Sequence, residues 1–357
     1  IEARGELFNV PAKEGVVTNI TKSSGAFDRD PAWSPDGSKL AYWSDKGGEF
    51  EVYLQDMNKN EPAKKLTNRG AGFGYKLYWS PDNKWLAYVD ERNDINLLDV
   101  NSGVVKKMDN YSWEIGHGGR NGYFLNWSPD SKWVSYSKGE DNASDAVYVY
   151  SVAEGKPYRV TGSFYNTRNP VFSADGKYLF CLTDREFNAA YSSMGDGTGI
   201  YLNNTRLAAI SLTKDAADLL KPKTDEVKGE SKEEKKPDEK KADAKKGDDK
   251  GKKDKAAEPE KKPDAVAGKI DFDDIESRMV VLPPGSGSLD DISAFEGKVV
   301  YQRYPNPGNW GEPALVVYDI EKREEKTVLG KADFAEATAD HKSLLVRSEG
   351  KFAIVKP

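Results

Sequence analysis

The sequence predicts an all-β fold of repeated four-stranded antiparallel sheets, on three observations. The first is self-similarity: AWSPDGSKLAYWSD at 32–45 returns as YWSPDNKWLAYVD and NWSPDSKWVSYSK, and again as VFSADGKYLF. Anchored on their shared aromatic position, the copies place Trp33, Trp79, Trp127 and Phe172 at intervals of 46, 48 and 45 residues. The second is an apolar residue seven positions after every anchor. Leu40, Leu86, Val134 and Leu179 fill it in the strong copies, and Val300 and Leu344 fill it in two degenerate copies anchored at Ser293 and Ala337. The third is the content of one unit, which holds a turn-joined hairpin followed by two more β-forming runs. A lone sheet of this kind cannot bury both faces, so the units must stack as blades about a common axis, which is a β-propeller.

Each element of a unit has a local cause. In Ser34-Pro35-Asp36-Gly37 the proline presets φ at the second position of a tight turn and glycine stands where φ is least restricted. The flanking residues alternate or are strongly β-forming, so the turn joins antiparallel strands. EFEVYLQD at 49–56 supplies a third strand and AKKLT at 63–67 a fourth. Buried Trp, Leu or Tyr side chains then contribute about 1.5–3 kcal/mol each between blades. The repeated text is therefore turn chemistry and packing, and not a catalytic motif.

The two ends are irregular. The first 32 residues offer outer strands only, GELFNVP and VVTNIT, with IEA resembling the tail of an inner hairpin. The last 20 offer an inner hairpin and the strand FAIV. Either the ends share a blade and close six, or there are seven blades with incomplete terminal ones. The chain starts at Ile1 without an initiator methionine or a signal-peptide pattern and reads as one propeller domain, 1–357, of a longer protein. Within one blade, residues 214–264 form an insertion of 17 lysines and 16 acids without an aromatic. So balanced a polyampholyte has nothing to bury, and the expectation is disorder.

Composition removes several function classes. The formal charge is −6, which offers no global basic field for nucleic acid. No run approaches the ~20 apolar residues of a membrane helix. Cys181, the single cysteine, sits in the apolar run YLFCLTD and reads as a buried hydrophobe. His117 lies in a glycine-rich stretch, His341 stands at a turn-glycine position, and no G-x-S-x-G elbow occurs. DFDDIES at 271–277 lacks the glycine and span of a calcium loop and reads as a charged entry into a strand. No catalytic residue, metal site or cofactor is expected. What remains is the axis. The residues just before the anchors make Arg29, Asp30, Lys76, Arg168 and Asn169 candidates for lining a channel or its rim, where they either hydrate it or contact a peptide.

Several phrases go beyond generic turns. EARGELFNVPAKEG, RDPAWSPDGSKLAYWSD, NPVFSADGKYLFCLTDREFNAAY and RMVVLPPGSGS resemble the second, larger propeller of tricorn-type serine peptidases, over nearly the whole chain outside the insertion. The WSPDG-like turns are shared with TolB-like and prolyl-oligopeptidase-type propellers, whereas the EARGELF and TDREFN phrases are more specific. The resemblance implies seven blades without strand-exchange closure. It also implies a non-catalytic role in admitting peptide substrate to PDZ-like and catalytic domains of the same chain, homo-oligomeric assembly and a cytoplasmic location, with periplasmic or secreted placement left open. The family's serine, histidine and carboxylate match nothing in this chain. The lysine-rich insertion departs from the archaeal pattern. The second reading is a TolB-like propeller that binds a protein or peptide and gates nothing.

Overall fold

One network of hydrogen bonds closes the repeated turns. The computed structural model of the chain describes residues 1–11, 14–59, 61–111, 116–186, 189–192, 199–222, 268–306 and 310–357. In the first turn the Ser34 hydroxyl donates to Asp36 Oδ1 at 2.6 Å and accepts from the Lys39 amide at 2.9 Å. Asp36 Oδ1 also accepts from the Ser38 amide at 3.0 Å. The Ser34 hydroxyl first, and then the Ser38 donors, hold the Asp36 carboxyl down to about 2. Ser80–Asp82, Ser128–Asp130, Ser173–Asp175 and Thr338–Asp340 repeat the hydroxyl-to-carboxylate bond at 2.6–2.7 Å. The residue after the aspartate is left-handed every time: Gly37, Asn83, Ser131, Gly176 and His341 have φ of 69°, 61°, 61°, 67° and 50°. Glycine adopts this freely; the other three are held there by the surrounding bonds.

Each turn sets a register, and the seven-residue rule is that register. Trp33 pairs with Leu40, Trp79 with Leu86, Trp127 with Val134, Phe172 with Leu179, Ser293 with Val300 and Ala337 with Leu344. All six apolar partners are buried. The copy at Ser293 has a shorter turn, from Phe295 to Lys298, which accounts for its missing Ser-x-Asp text.

Seven sheets follow in chain order. The first holds β1 (Glu2–Ala3), β2 (Glu6–Asn9) and β3 (Thr18–Asn19). The second holds β4 (Asp28–Trp33), β5 (Lys39–Ser44), β6 (Glu51–Asp56) and β7 (Lys64–Lys65). The third runs through β8 (Tyr78–Trp79), β9 (Trp85–Val89), β10 (Asp94–Asp99) and β11 (Val105–Asn110). A short helix, α1 (His117–Asn121), leads to the fourth: β12 (Asn126–Trp127), β13 (Trp133–Gly139), β14 (Asp145–Ser151) and β15 (Lys156–Arg159). The fifth begins with β16 (Thr167–Phe172) and β17 (Tyr178–Thr183). An excursion hairpin, β18 (Ala189–Ser192) and β19 (Gly199–Tyr201), precedes its remaining strands β20 (Arg206–Ser211) and β21 (Met279–Val281). The sixth holds β22 (Ser288–Phe295), β23 (Lys298–Tyr304), β24 (Ala314–Asp319) and β25 (Glu324–Leu329). The seventh holds β26 (Phe334–Ala337), β27 (Leu344–Ser348) and β28 (Lys351–Val355). Among the described residues no ladder joins β1–β3 to β26–β28, so the terminal sheets are separate blades. The propeller has seven blades, not six, and no exchanged strand closes it among the described residues.

Neighbouring blades lend each other cores. Leu7 of the first sheet packs with Leu40, Tyr42 and Tyr53 of the second. Trp43 and Val52 of the second meet Trp79, Leu86 and Tyr88 of the third. Trp133, Val147 and Val149 of the fourth meet Phe172, Leu179 and Cys181 of the fifth. Burial pushes the Cys181 thiol up to about 12, in keeping with a packing role. The anchors add a directional bond: the Trp79 indole donates to the Ala32 carbonyl of the preceding blade at 2.9 Å, and Trp127 to the Tyr78 carbonyl at 3.1 Å. Trp33 has only the first sheet behind it and is 45% exposed. Gly74 has no such freedom, since a methyl there would lie 2.0 Å from the buried Trp43 ring.

Two units divide the chain, residues 1–219 with 265–357, and 220–264. The insertion enters between β20 and β21. Asp271 N donates to the Leu212 carbonyl at 2.9 Å, so the chain returns to where it left. Residues 214–219 belong to the blade: Tyr178 donates its hydroxyl proton to the Ala217 carbonyl, and Lys214 pairs with Asp271. The disorder expected of the lysine-rich text from residue 223 onward lies outside the described residues. DFDDIES forms the entry to β21 through a 3-10 turn at Ile275–Arg278, and no metal-holding cluster occurs among the described residues. No helix is long and apolar enough to cross a membrane among them.

Candidate functional site

Contacts between neighbouring sheets involve β4, β8, β12, β16, β22 and β26, the first strands of the second to seventh sheets, and the first strand of a propeller blade is the innermost. Three of these strands share a device. β4, β16 and β22 each lose register by one residue, between Arg29 and Ala32, Arg168 and Val171, and Asp290 and Ser293. Within each break one short polar residue is left-handed: Asp30, Asn169 and Asp291 have φ of 49°, 51° and 50°. Asn and Asp tolerate this conformation better than larger side chains, and a bulge re-aims the side chains around it.

The five residues singled out in the sequence fall into two groups. Arg29 and Arg168 act as staples. The Arg29 guanidinium lies 3.5 Å from the centre of the Phe73 ring, donates to the Gly74 carbonyl at 2.6 Å and pairs with Asp30. With 6% exposure it is sealed between the second and third blades. Burial pulls Arg29 down, and Asp30 beside it opposes that. Arg168 pairs with Asp184 at 3.1 Å and donates to the Thr205 hydroxyl and the Leu289 carbonyl at 3.3 Å, tying the fifth blade to the sixth.

Asp30, Asn169 and Lys76 each bond a carboxylate of another blade. The Asp30 amide donates to Glu2 of the first sheet at 3.0 Å, and Asn169 bonds Asp290 of the sixth. Lys76, just before β8, places Nζ 3.3 Å from Glu336 Oε1 on β26. Those residues belong to the third and seventh blades, which are not neighbours, so this pair crosses the axis. Lys76 Nζ also lies 5.3 Å from the Tyr78 ring. Partial enclosure draws the ammonium down, but Tyr78, Glu336 and Asp291 outweigh it and leave Lys76 raised. Asp291 is pushed up, first by the loss of surrounding water and then by the charge of Asp290.

Glu2, Asp290, Asp291 and Glu336 were not singled out in the sequence. A signal existed for three of them: they stand one to three residues before the degenerate anchors Ser293 and Ala337. The two histidines stand apart from one another. His117 Nδ1 shares a hydrogen bond with the Tyr75 hydroxyl at 3.2 Å, and His341 Nδ1 lies 3.1 Å from the Ala294 carbonyl.

Seven sheets stacked in chain order, with no strand exchanged between the first and the last among the described residues, define a seven-bladed β-propeller. The chain belongs to the family of the tricorn protease second β-propeller domain, whose model matches residues 1–357. Among solved structures it is similar to the tricorn protease, with a TM-score of 0.73 at 16% identity, covering 99% of this chain and 31% of that one. It therefore spans about a third of the tricorn protease. The hydrazine synthase of Kuenenia stuttgartiensis matches with a TM-score of 0.53 at 12% identity, over 99% of this chain and 90% of that one. Prolyl oligopeptidase B of Galerina marginata matches with 0.51 at 12% identity, over 92% and 41%. Likeness at such identities shows the fold alone.

Proposed function

We propose that this propeller is a non-catalytic substrate-access domain of a tricorn-like serine peptidase. In this reading an extended oligopeptide passes along the axis toward catalytic and PDZ-like domains of the same protein, while a folded protein is too wide to enter. The observation that carries it is the polar axis: Asp30, Asn169 and Asp291 sit on bulges of three inner strands, and Lys76 and Glu336 meet from opposite sides. Family membership supports the peptidase context; a homo-oligomeric assembly and a cytoplasmic site, with a periplasmic or secreted one as the alternative, belong to the same reading. Arg29 and Arg168 hold the rim in shape, while Lys76, Asp30 and Asn169 face the moving chain.

The test is obstruction. In the full-length protein, the Lys76→Trp/Glu336→Trp variant is expected to lower turnover of a ten-residue peptide at least tenfold, which is ~1.4 kcal/mol of added barrier, while the melting temperature stays near that of the parent. Unchanged turnover in a folded variant would refute passage along this axis and favour a propeller that only binds.

A further inference from the structure

The geometry points to Lys76–Glu336 as a salt-sensitive latch across the axis of the propeller, closed at rest and opened when the pair separates. This inference rests on the reading of the axis as a peptide path. Around the ring the fourth, fifth and sixth blades lie between Lys76 and Glu336 on one side, and the first and second on the other. A contact of 3.3 Å between them bridges the axis at that level. The other ion pairs on the inner strands, Arg29–Asp30 and Arg168–Asp184, stay within one blade and leave the axis unspanned.

The pair is suited to opening. Its side chains are 47% and 52% exposed, so water and salt screen the attraction and the contact is weak. By contrast the Arg29 side chain is 7% exposed and fixed on aromatic rings. The charge of Asp291 of the sixth blade also favours the Lys76 ammonium, after Tyr78 and Glu336. Asp291 is in turn 3.5 Å from the Tyr304 hydroxyl. The ammonium can therefore leave Glu336 without being stranded, and an incoming peptide that offers a charged group to either partner lowers the barrier further.

Two measurements on the full-length protein test the latch. Trace acetylation with mass-spectrometric readout compares Lys76 with Lys84, an exposed reference. Glu336→Gln is expected to raise the Lys76 rate about threefold, as a fall of half a pKa unit would, and to leave Lys84 unchanged. Salt at 0.5 M, about threefold the physiological ionic strength, should act on the parent in the same way and have no further effect on the variant. Turnover of the ten-residue peptide at low salt should rise about threefold in Lys76→Met and in Glu336→Gln and lose its salt dependence. The reversed pair Lys76→Glu/Glu336→Lys should restore both. An unchanged acetylation rate would remove the pair itself. Altered acetylation with unchanged turnover would show a pair that bars nothing and overturn the latch, while the tryptophan obstruction decides the peptide path separately.

Discussion

At the scale of single residues, charge on the axis is arranged against the preference of one side chain. Asp291 is left-handed, stands beside Asp290 and has its carboxyl pushed up by lost hydration and by that neighbour. A group whose folded pKa lies above its unfolded value contributes stability that is present at low pH and lost as pH rises through the folded value. At neutral pH Asp291 therefore costs stability. Asparagine tolerates the same backbone and carries no charge. Asp291→Asn should be more stable than the parent at pH 7.5, and the advantage should vanish below the ordinary carboxylate range near pH 3.5, as measured by urea unfolding at both values. Asp36 has the opposite bias: held down to about 2 by Ser34 and Ser38, it keeps its turn bonded until strongly acid conditions. The turn chemistry was legible in SPDG because it involves only residues within five positions of one another. The axial pair was not, because its members are 260 residues apart.

At the scale of elements, the blade interface is a ladder in which each anchor serves the blade before it. Trp79 is 9% exposed and gives its indole proton to the Ala32 carbonyl. Replacing it with phenylalanine keeps an aromatic ring but leaves that carbonyl without its donor, which costs about 1–3 kcal/mol. The same change at Trp33, 45% exposed, removes little buried area and should cost under about 0.5 kcal/mol. Thermal melts of the two variants check the contrast; equal losses would mean that the anchors act as independent side chains and not as links between blades. The sequence text of the two anchors is nearly the same, so nothing local distinguishes them. The difference lies in what stands behind each one, and it appears only when the blades are placed in order.

For the whole molecule, the long interruption and the count of blades are separate matters. The insertion leaves and re-enters the fifth blade at residues that are hydrogen-bonded, Leu212 and Asp271. Replacing residues 223–267 by a short Gly/Ser link should leave the fold intact. It should raise stability by about 1–2 kcal/mol, because a shorter loop loses less entropy on closure; a fall in melting temperature would show that the insertion supports the ring. The sequence by itself determined the repeat, the turn bonds, the register of all six hairpins and the buried position opposite each anchor, since these depend on neighbours along a strand or across one turn. Only the tertiary structure decided between six blades and seven, because that number follows from the angle at which successive sheets pack, summed around the ring. It also decided that Lys76 faces Glu336, because an axis collects residues by distance from a centre and leaves no periodic trace in the chain.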